Sequence, residues 1–408
     1  MSVDFIGHFV GIIEMPTETI LRNSFYAPWQ LCIKSFYSFL LDSGPAPVQR
    51  PAEVIGVWYF EAGPASYLLL LTLKLPIIIF TFASGITLYS LARSVGATAA
   101  RASTAMLLWF ANPLVAITTV MWGTFDVVGL FFTLLSMMLL FRKRTVFSSL
   151  SLLTGSLVKV IPLVLLPIYL IHLYRTERGG FLRFALTSAA LMILGAITAF
   201  WFGGERLAAG AQKVFEFYFP YFAGVVLETG LFQLSSTVVA LSLLILLAAR
   251  FWRFQERNLP DLVLAYLLVF FALAFWHPQY LIYLMAFLTL DYAIARRRLE
   301  YLTLVLTALG TSIIVFGFYF SSWGHSVLFI PNYNALMQQL SFFILMLPGH
   351  PIFEPIGVVL RSIFAAACLY YAVTIFLRNA SRASVTGFTG QREATRSPDN
   401  SGNQVPPP

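Results

Sequence analysis

In a chain of 408 residues of which 59% are hydrophobic and only 11% charged, the polar groups set among apolar runs are the ones that need a chemical reason. Asp126 closes the stretch Trp122-Gly123-Thr124-Phe125-Asp126, between two such runs. A carboxylate at the mouth of a helix pair can take a proton, orient a sugar hydroxyl or bind a cation. In the first turn of the next helix its charge also favours the helix dipole, and the sequence leaves both roles open. Lys159 opens Lys159-Val160-Ile161-Pro162, and Lys74 lies in Leu73-Lys74-Leu75-Pro76. An ammonium is a compact charge with three donors, suited to a lipid phosphate. Snorkelling of the long stem toward headgroups explains Lys74 at least as well. For Lys159, followed by Pro162 and a chain reversal, phosphate binding is the stronger reading. His277-Pro278-Gln279-Tyr280 gathers three hydrogen-bonding side chains that suit sugar hydroxyls or phosphate, and a polar turn with interfacial aromatics has the same composition.

These residues have to be positioned by membrane helices, because so little polar surface cannot coat a soluble globule of this size. The expected fold is all-α, a polytopic transmembrane helix bundle with about nine to eleven membrane segments at about 20 apolar residues per span. The spans run from Tyr67 to Leu91, from Ala105 to Met121 with a break at Asn112-Pro113, and from Phe125 to Phe141. Further ones are Phe184 to Phe202, Leu234 to Phe251, Leu262 to Trp276, Tyr280 to Ala295, Tyr301 to Phe320 and Ile356 to Leu377. Between Ser148 and Tyr174 there is apolar length for one crossing, yet Arg142, Lys143 and Arg144 precede it and Arg175, Arg178 and Arg183 follow. The positive-inside rule wants both clusters in the cytoplasm, so a broken, re-entrant hairpin turning at Lys159 to Pro162 is expected.

Threading the spans alternately then puts Arg250, Arg253, Arg257, Arg296, Arg297, Arg298, Arg378 and Arg382 inside, and the polar motifs outside. The net charge of +8 is thus spent on topology, and nucleic-acid binding is not expected. Cys32 and Cys368 have no zinc or redox spacing, and no metal site is expected. Two long outer loops follow, 203–231 with the aromatics Phe215, Phe217, Tyr218, Phe219, Tyr221 and Phe222, and 321–355 with Trp323, His325 and His350. Residues 1–56 read as an extracytoplasmic segment with interfacial helices, 57–380 as a transmembrane catalytic domain, and 381–408 as a disordered cytoplasmic tail poor in apolar groups.

The order of these motifs, over about residues 26 to 295, resembles the C-type superfamily of glycosyltransferases. These polytopic enzymes use polyprenyl-phosphate sugars and include the mannosyltransferases of glycolipid-anchor synthesis and their prokaryotic relatives. Four pieces carry the resemblance: Leu73-Lys74-Leu75-Pro76, Trp122 to Asp126, Lys159 to Pro162 with Leu165-Leu166-Pro167, and His277 to Tyr280. It implies transfer of a hexose, mannose above all, from a polyprenyl-phosphate donor to a glycan, lipid or protein acceptor on the extracytoplasmic face. The membrane would be the cell membrane, or the endoplasmic reticulum in a eukaryote. Lys159 and Lys74 would face the donor phosphate, with Trp122, His277, Gln279 and Tyr280 around the substrate. An outer carboxylate would activate the acceptor hydroxyl, and a divalent cation is compatible with the scheme.

Two departures stand out. Met1 to Thr19 carries Asp4, His8, Glu14 and Glu18 and is not a spanning helix, so the family's first helix is expected to be missing. Where its acid belongs, Ala27-Pro28-Trp29-Gln30 offers Gln30, an amide that cannot act as a base. Glu61 or Asp126 is then the candidate catalytic acid, unless the register differs or the chain is an inactive or truncated member. Two rivals remain: a transporter or flippase of a lipid-linked solute, which predicts related halves that the sequence lacks, and a catalytically inactive lipid-sugar-binding subunit.

Overall fold

The structure is a computed structural model that describes residues 31, 34–35, 52–54, 57–59, 64–121, 124–197, 201, 226–228, 233–252, 254–274, 278–295, 297–315 and 353–394. The described residues are overwhelmingly helical. Two small antiparallel hairpins are the exception, β1 (Ala52–Val54) with β2 (Val57–Tyr59) and β3 (Val226–Glu228) with β4 (Gln233–Ser235).

Helix α1 (Pro64–Ser94) turns back into α2 (Ala99–Ala111) through Gly96, whose φ of 96° suits a residue without a side chain. The buried Trp109 Nε1 donates to the Thr81 carbonyl at 3.0 Å and locks the two helices together. At Asn112-Pro113 the ring of Pro113 removes a backbone donor, and the Asn112 side chain accepts from Leu114 N at 2.9 Å instead. The axis bends by 47° at this point, where the break is expected, and the chain continues through Pro113–Val115 into a π-helical turn, Ala116–Met121.

Helices α3 (Asp126–Phe141) and α4 (Thr145–Val158) form a close antiparallel pair. Small residues line the seam. Ser136 Oγ donates to the Ser148 carbonyl and Ser151 Oγ to the Phe132 carbonyl, both at 2.8 Å, and a β-carbon on Gly155 would lie 2.9 Å from the Gly129 carbonyl oxygen. Such residues let two backbones touch where the surroundings are as apolar as the core.

The chain then reverses. After a break at Lys159, α5 (Ile161–Thr176) runs back alongside α3, with Tyr169 donating to the Thr133 carbonyl at 3.4 Å and stacking on Phe184 of α6 (Arg178–Ile197) at 6.0 Å. Lys143 Nζ, before α4, lies 3.7 Å from Glu177 Oε2, after α5. Both feet of the excursion are therefore together and Lys159 is its far tip, with arms of about 21 and 24 Å at 1.5 Å per residue.

The second half comprises α7 (Ser236–Phe251), α8 (Leu259–Leu273), α9 (Leu281–Ala295), α10 (Arg298–Val315) and α11 (Phe353–Ala394). Nearly every residue of α8 and α9 is buried, which makes this apolar-all-round pair the core. Helix α11 packs on α8 and α10. Arg378 of α11 reaches Asp261 Oδ2 at 2.8 Å and Asp291 Oδ1 at 3.2 Å, and the Tyr371 hydroxyl donates to Asp291, tying together α8, α9 and α11.

Among the described residues, three helices are long and apolar enough to cross a membrane, Lys74–Ser94, Arg178–Ile197 and Ile356–Asn379, and the bent pair Ala99–Ala111 with Pro113–Thr119 makes a fourth. They expose large apolar side chains, among them Ile79, Leu186 and Val358, as a membrane protein does. Two other expected spans are apolar but short: Asp126–Phe141 and Leu259–Leu273 have 16 and 15 residues, below the about 20 that cross a bilayer singly. The boundary expected at residue 381 falls inside α11, which runs to Ala394 through a stretch without proline. The aromatic cluster Phe215 to Phe222, and Trp323, His325 and His350, lie outside the described residues.

Candidate functional site

Four elements converge at the Lys159 end. The first is the π-helical turn: the Thr118 carbonyl accepts both the backbone N–H of Thr124, at 3.2 Å, and its hydroxyl, at 3.0 Å, which anchors the chain just before α3. Asp126 is then the first helical residue of α3, the second element, where its charge complements the N-terminal dipole.

The third element is the tip of the reversal. Lys159 adopts an extended backbone, φ −154° and ψ 145°, while its N–H still donates to the Gly155 carbonyl at 3.0 Å as the last bond of α4. Pro162 sits in the first turn of α5, where its missing N–H costs nothing and its fixed φ suits a new helix. The fourth is the 3-10 turn Pro278–Tyr280 that leads into α9 and touches the π-helical turn.

Here three of the residues singled out in the sequence meet. Lys159 Nζ lies 3.5 Å from Asp126 Oδ1 and 4.8 Å from the centroid of the Tyr280 ring. The Asp126 side chain is only 3% exposed and that of Lys159 is 26% exposed. The ammonium is thus the reachable member of the pair and the carboxylate its backing. A buried carboxylate without a partner is strongly destabilising, so Asp126 has a structural use for Lys159.

Gln279 is half-buried beside Tyr280. Lys74 is buried in α1. Its depth follows from ring packing: Phe80 meets Phe131 at 5.2 Å and Phe132 at 6.0 Å. Lys74 lies about 9 Å along α1 from Phe80, and Asp126 about 7.5 Å along α3 from Phe131, so the two occupy the same level on neighbouring helices. Glu61, Trp122, His277 and Gln30 lie outside the described residues. Among the described residues, no three His, Cys, Asp or Glu side chains come together as a metal site would need.

Three further residues shape the site without having been singled out. Tyr283, one turn beyond Tyr280, lies against Gly129, where a β-carbon would collide with its hydroxyl. Gly129 and Gly155 bring the α3 and α4 backbones together one turn below the ion pair. Each is three or four residues from a residue already flagged, Asp126, Tyr280 or Lys159, and so shares its helix face. That periodicity was the available signal.

No family model matches this chain, and no curated protein matches it. The chemistry is accordingly read from the groups themselves: an ammonium that can hold an anion, a carboxylate that can exchange a proton, and an aromatic face on which an apolar sugar surface can rest.

Proposed function

We propose that this protein is a glycosyltransferase that moves a hexose, mannose first, from a polyprenyl-phosphate-linked donor to an acceptor hydroxyl on the extracytoplasmic side of the membrane. The observation that carries the proposal is the Asp126, Lys159 and Tyr280 cluster, in which the reachable group is a cation at the tip of a chain reversal. In this reading the segment from Thr145 to Thr176 is a re-entrant hairpin in a bundle of about nine to eleven membrane segments, with its broken backbone lining a protein cavity.

The donor phosphate pairs with Lys159, and Lys74 contributes positive potential at the same depth. Binding of the phosphate draws the ammonium away from Asp126 and leaves that carboxylate available. The acceptor oxygen bonds to the sugar anomeric carbon as the bond from that carbon to the phosphate oxygen breaks. Polyprenyl phosphate departs with the electron pair, and the acceptor proton passes to a carboxylate, Asp126 or Glu61. Tyr280 and Gln279, with Trp122 and His277, supply the aromatic and hydrogen-bonding surface for the sugar.

The test is transfer by the purified chain in lipid nanodiscs, given a panel of polyprenyl-phosphate hexoses with glycan, lipid and peptide acceptors. Lys159→Ala and Asp126→Ala are expected to lower the rate by on the order of 100-fold or more. Normal rates in both variants, or no transfer from any donor, overturn the proposal. Donor binding without transfer replaces it with the lipid-sugar-binding subunit, a reading favoured by the 3% exposure of Asp126.

A further inference from the structure

On the outer flank of the α3 and α4 pair, away from the Asp126 cluster, an open groove of about 350 Å³ is walled by Phe132, Leu135 and Leu139 of α3 and by Phe147 and Leu150 of α4. Arg144 lines its foot and Thr154 its upper end. Ten helical residues separate the two, about 15 Å, which is half of the roughly 30 Å hydrocarbon core and so the depth of one leaflet. Phe147 is 59% exposed and Leu150 38%, so the walls face outward.

The foot is cationic and its charge is not cancelled. Glu177 is the acid next to this turn, and it is shared between Lys143 at 3.7 Å and Arg183 at 3.6 Å. Among the described residues Arg144 makes no ion pair, and its side chain is exposed beside the groove. An apolar channel one leaflet deep with an uncompensated guanidinium at its mouth matches one molecule class in shape and charge.

We propose that this groove binds one acyl chain of an anionic phospholipid whose phosphate pairs with Arg144. A guanidinium holds a phosphate through parallel N–H donors, which a choline headgroup would screen with its own cation. The site is independent of the sugar-transfer reading: its cationic foot lies at the base of the hairpin, away from Lys159, and a lipid here would brace the seam that sets the height of Lys159.

Native mass spectrometry of the full chain, released from detergent with equal dioleoyl phosphatidylglycerol and dioleoyl phosphatidylcholine, reads the site directly. The wild-type chain is expected to retain phosphatidylglycerol about fivefold over phosphatidylcholine, the preference one surface cation supports. Arg144→Ala should remove that preference and Arg144→Lys should keep most of it. Leu139→Trp, which fills the groove, should lower retention of both lipids. Equal retention by the wild-type chain, an undiminished preference in Arg144→Ala, or unchanged retention in Leu139→Trp would each overturn the assignment.

Discussion

The described residues form two buried ionic clusters at opposite ends of the helices, and they are built on different principles. At the far end from Lys159, one guanidinium serves two carboxylates: Arg378 bridges Asp261 and Asp291, and Tyr371 fills a remaining acceptor site on Asp291. Side-chain exposures there are 15% for Arg378 and Asp261 and 4% for Asp291. The Asp126 cluster, among the described residues, sets one acid against an ammonium that keeps 26% of its surface exposed and lies over an aromatic face. A closed network is suited to clamping α8, α9 and α11. An open pair leaves its cation able to exchange a partner, which is what a ligand site requires. Burial and saturation, rather than the presence of charge, separate the clamp from the candidate site.

That contrast can be broken from either side. The largest loss is expected from Arg378→Ala, which strands two carboxylates and should cost about 3 to 5 kcal/mol, read as a lower unfolding midpoint in detergent. Gly155→Ala should come next, at about 1 to 3 kcal/mol, because the new methyl group meets the Gly129 carbonyl and cannot be accommodated by a rotamer change. It should also lift Lys159 out of register and weaken donor binding, which the Arg378 variant should do only through stability. Tyr371→Phe removes one hydrogen bond to a charged group and should cost about 1.5 kcal/mol in the same melt. The smallest effect is expected from Tyr280→Leu, about 1 kcal/mol of lost cation–π attraction, visible as weaker donor binding in isothermal titration. Equal stability losses in Arg378→Ala and Tyr280→Leu would erase the distinction between the clusters.

Much of the framework was legible because proline and charge act locally. Pro113 and Pro162 break their helices where the missing N–H requires it, and flanking arginines marked the reversal at Lys159. The meeting of Asp126 with Lys159 was legible only as a shared location, since nothing local fixes a distance between residues 33 positions apart. The clamp escaped notice for the same reason: Asp261, Asp291, Tyr371 and Arg378 come from three helices. Its members were nonetheless ionisable groups in apolar segments, the pattern that calls for a named partner. Gly129 and Gly155 read as ordinary glycines in apolar runs until the seam between α3 and α4 gave their missing side chains a purpose.

The ion pair between Lys143 and Glu177, at the base of the hairpin, bears on how the chain is made. Under the proposed re-entrant reading, a segment that leaves and returns on one side delivers its tip into the bilayer without carrying either charged flank across. In that reading Lys159 is the lysine that insertion carries into the bilayer, and a lone lysine at the centre of a membrane helix costs about 2.5 to 3.5 kcal/mol. Asp126 is synthesised first, so its carboxylate is already waiting when that lysine arrives. In the re-entrant reading, translation order thereby makes the hairpin's entry a capture rather than a crossing.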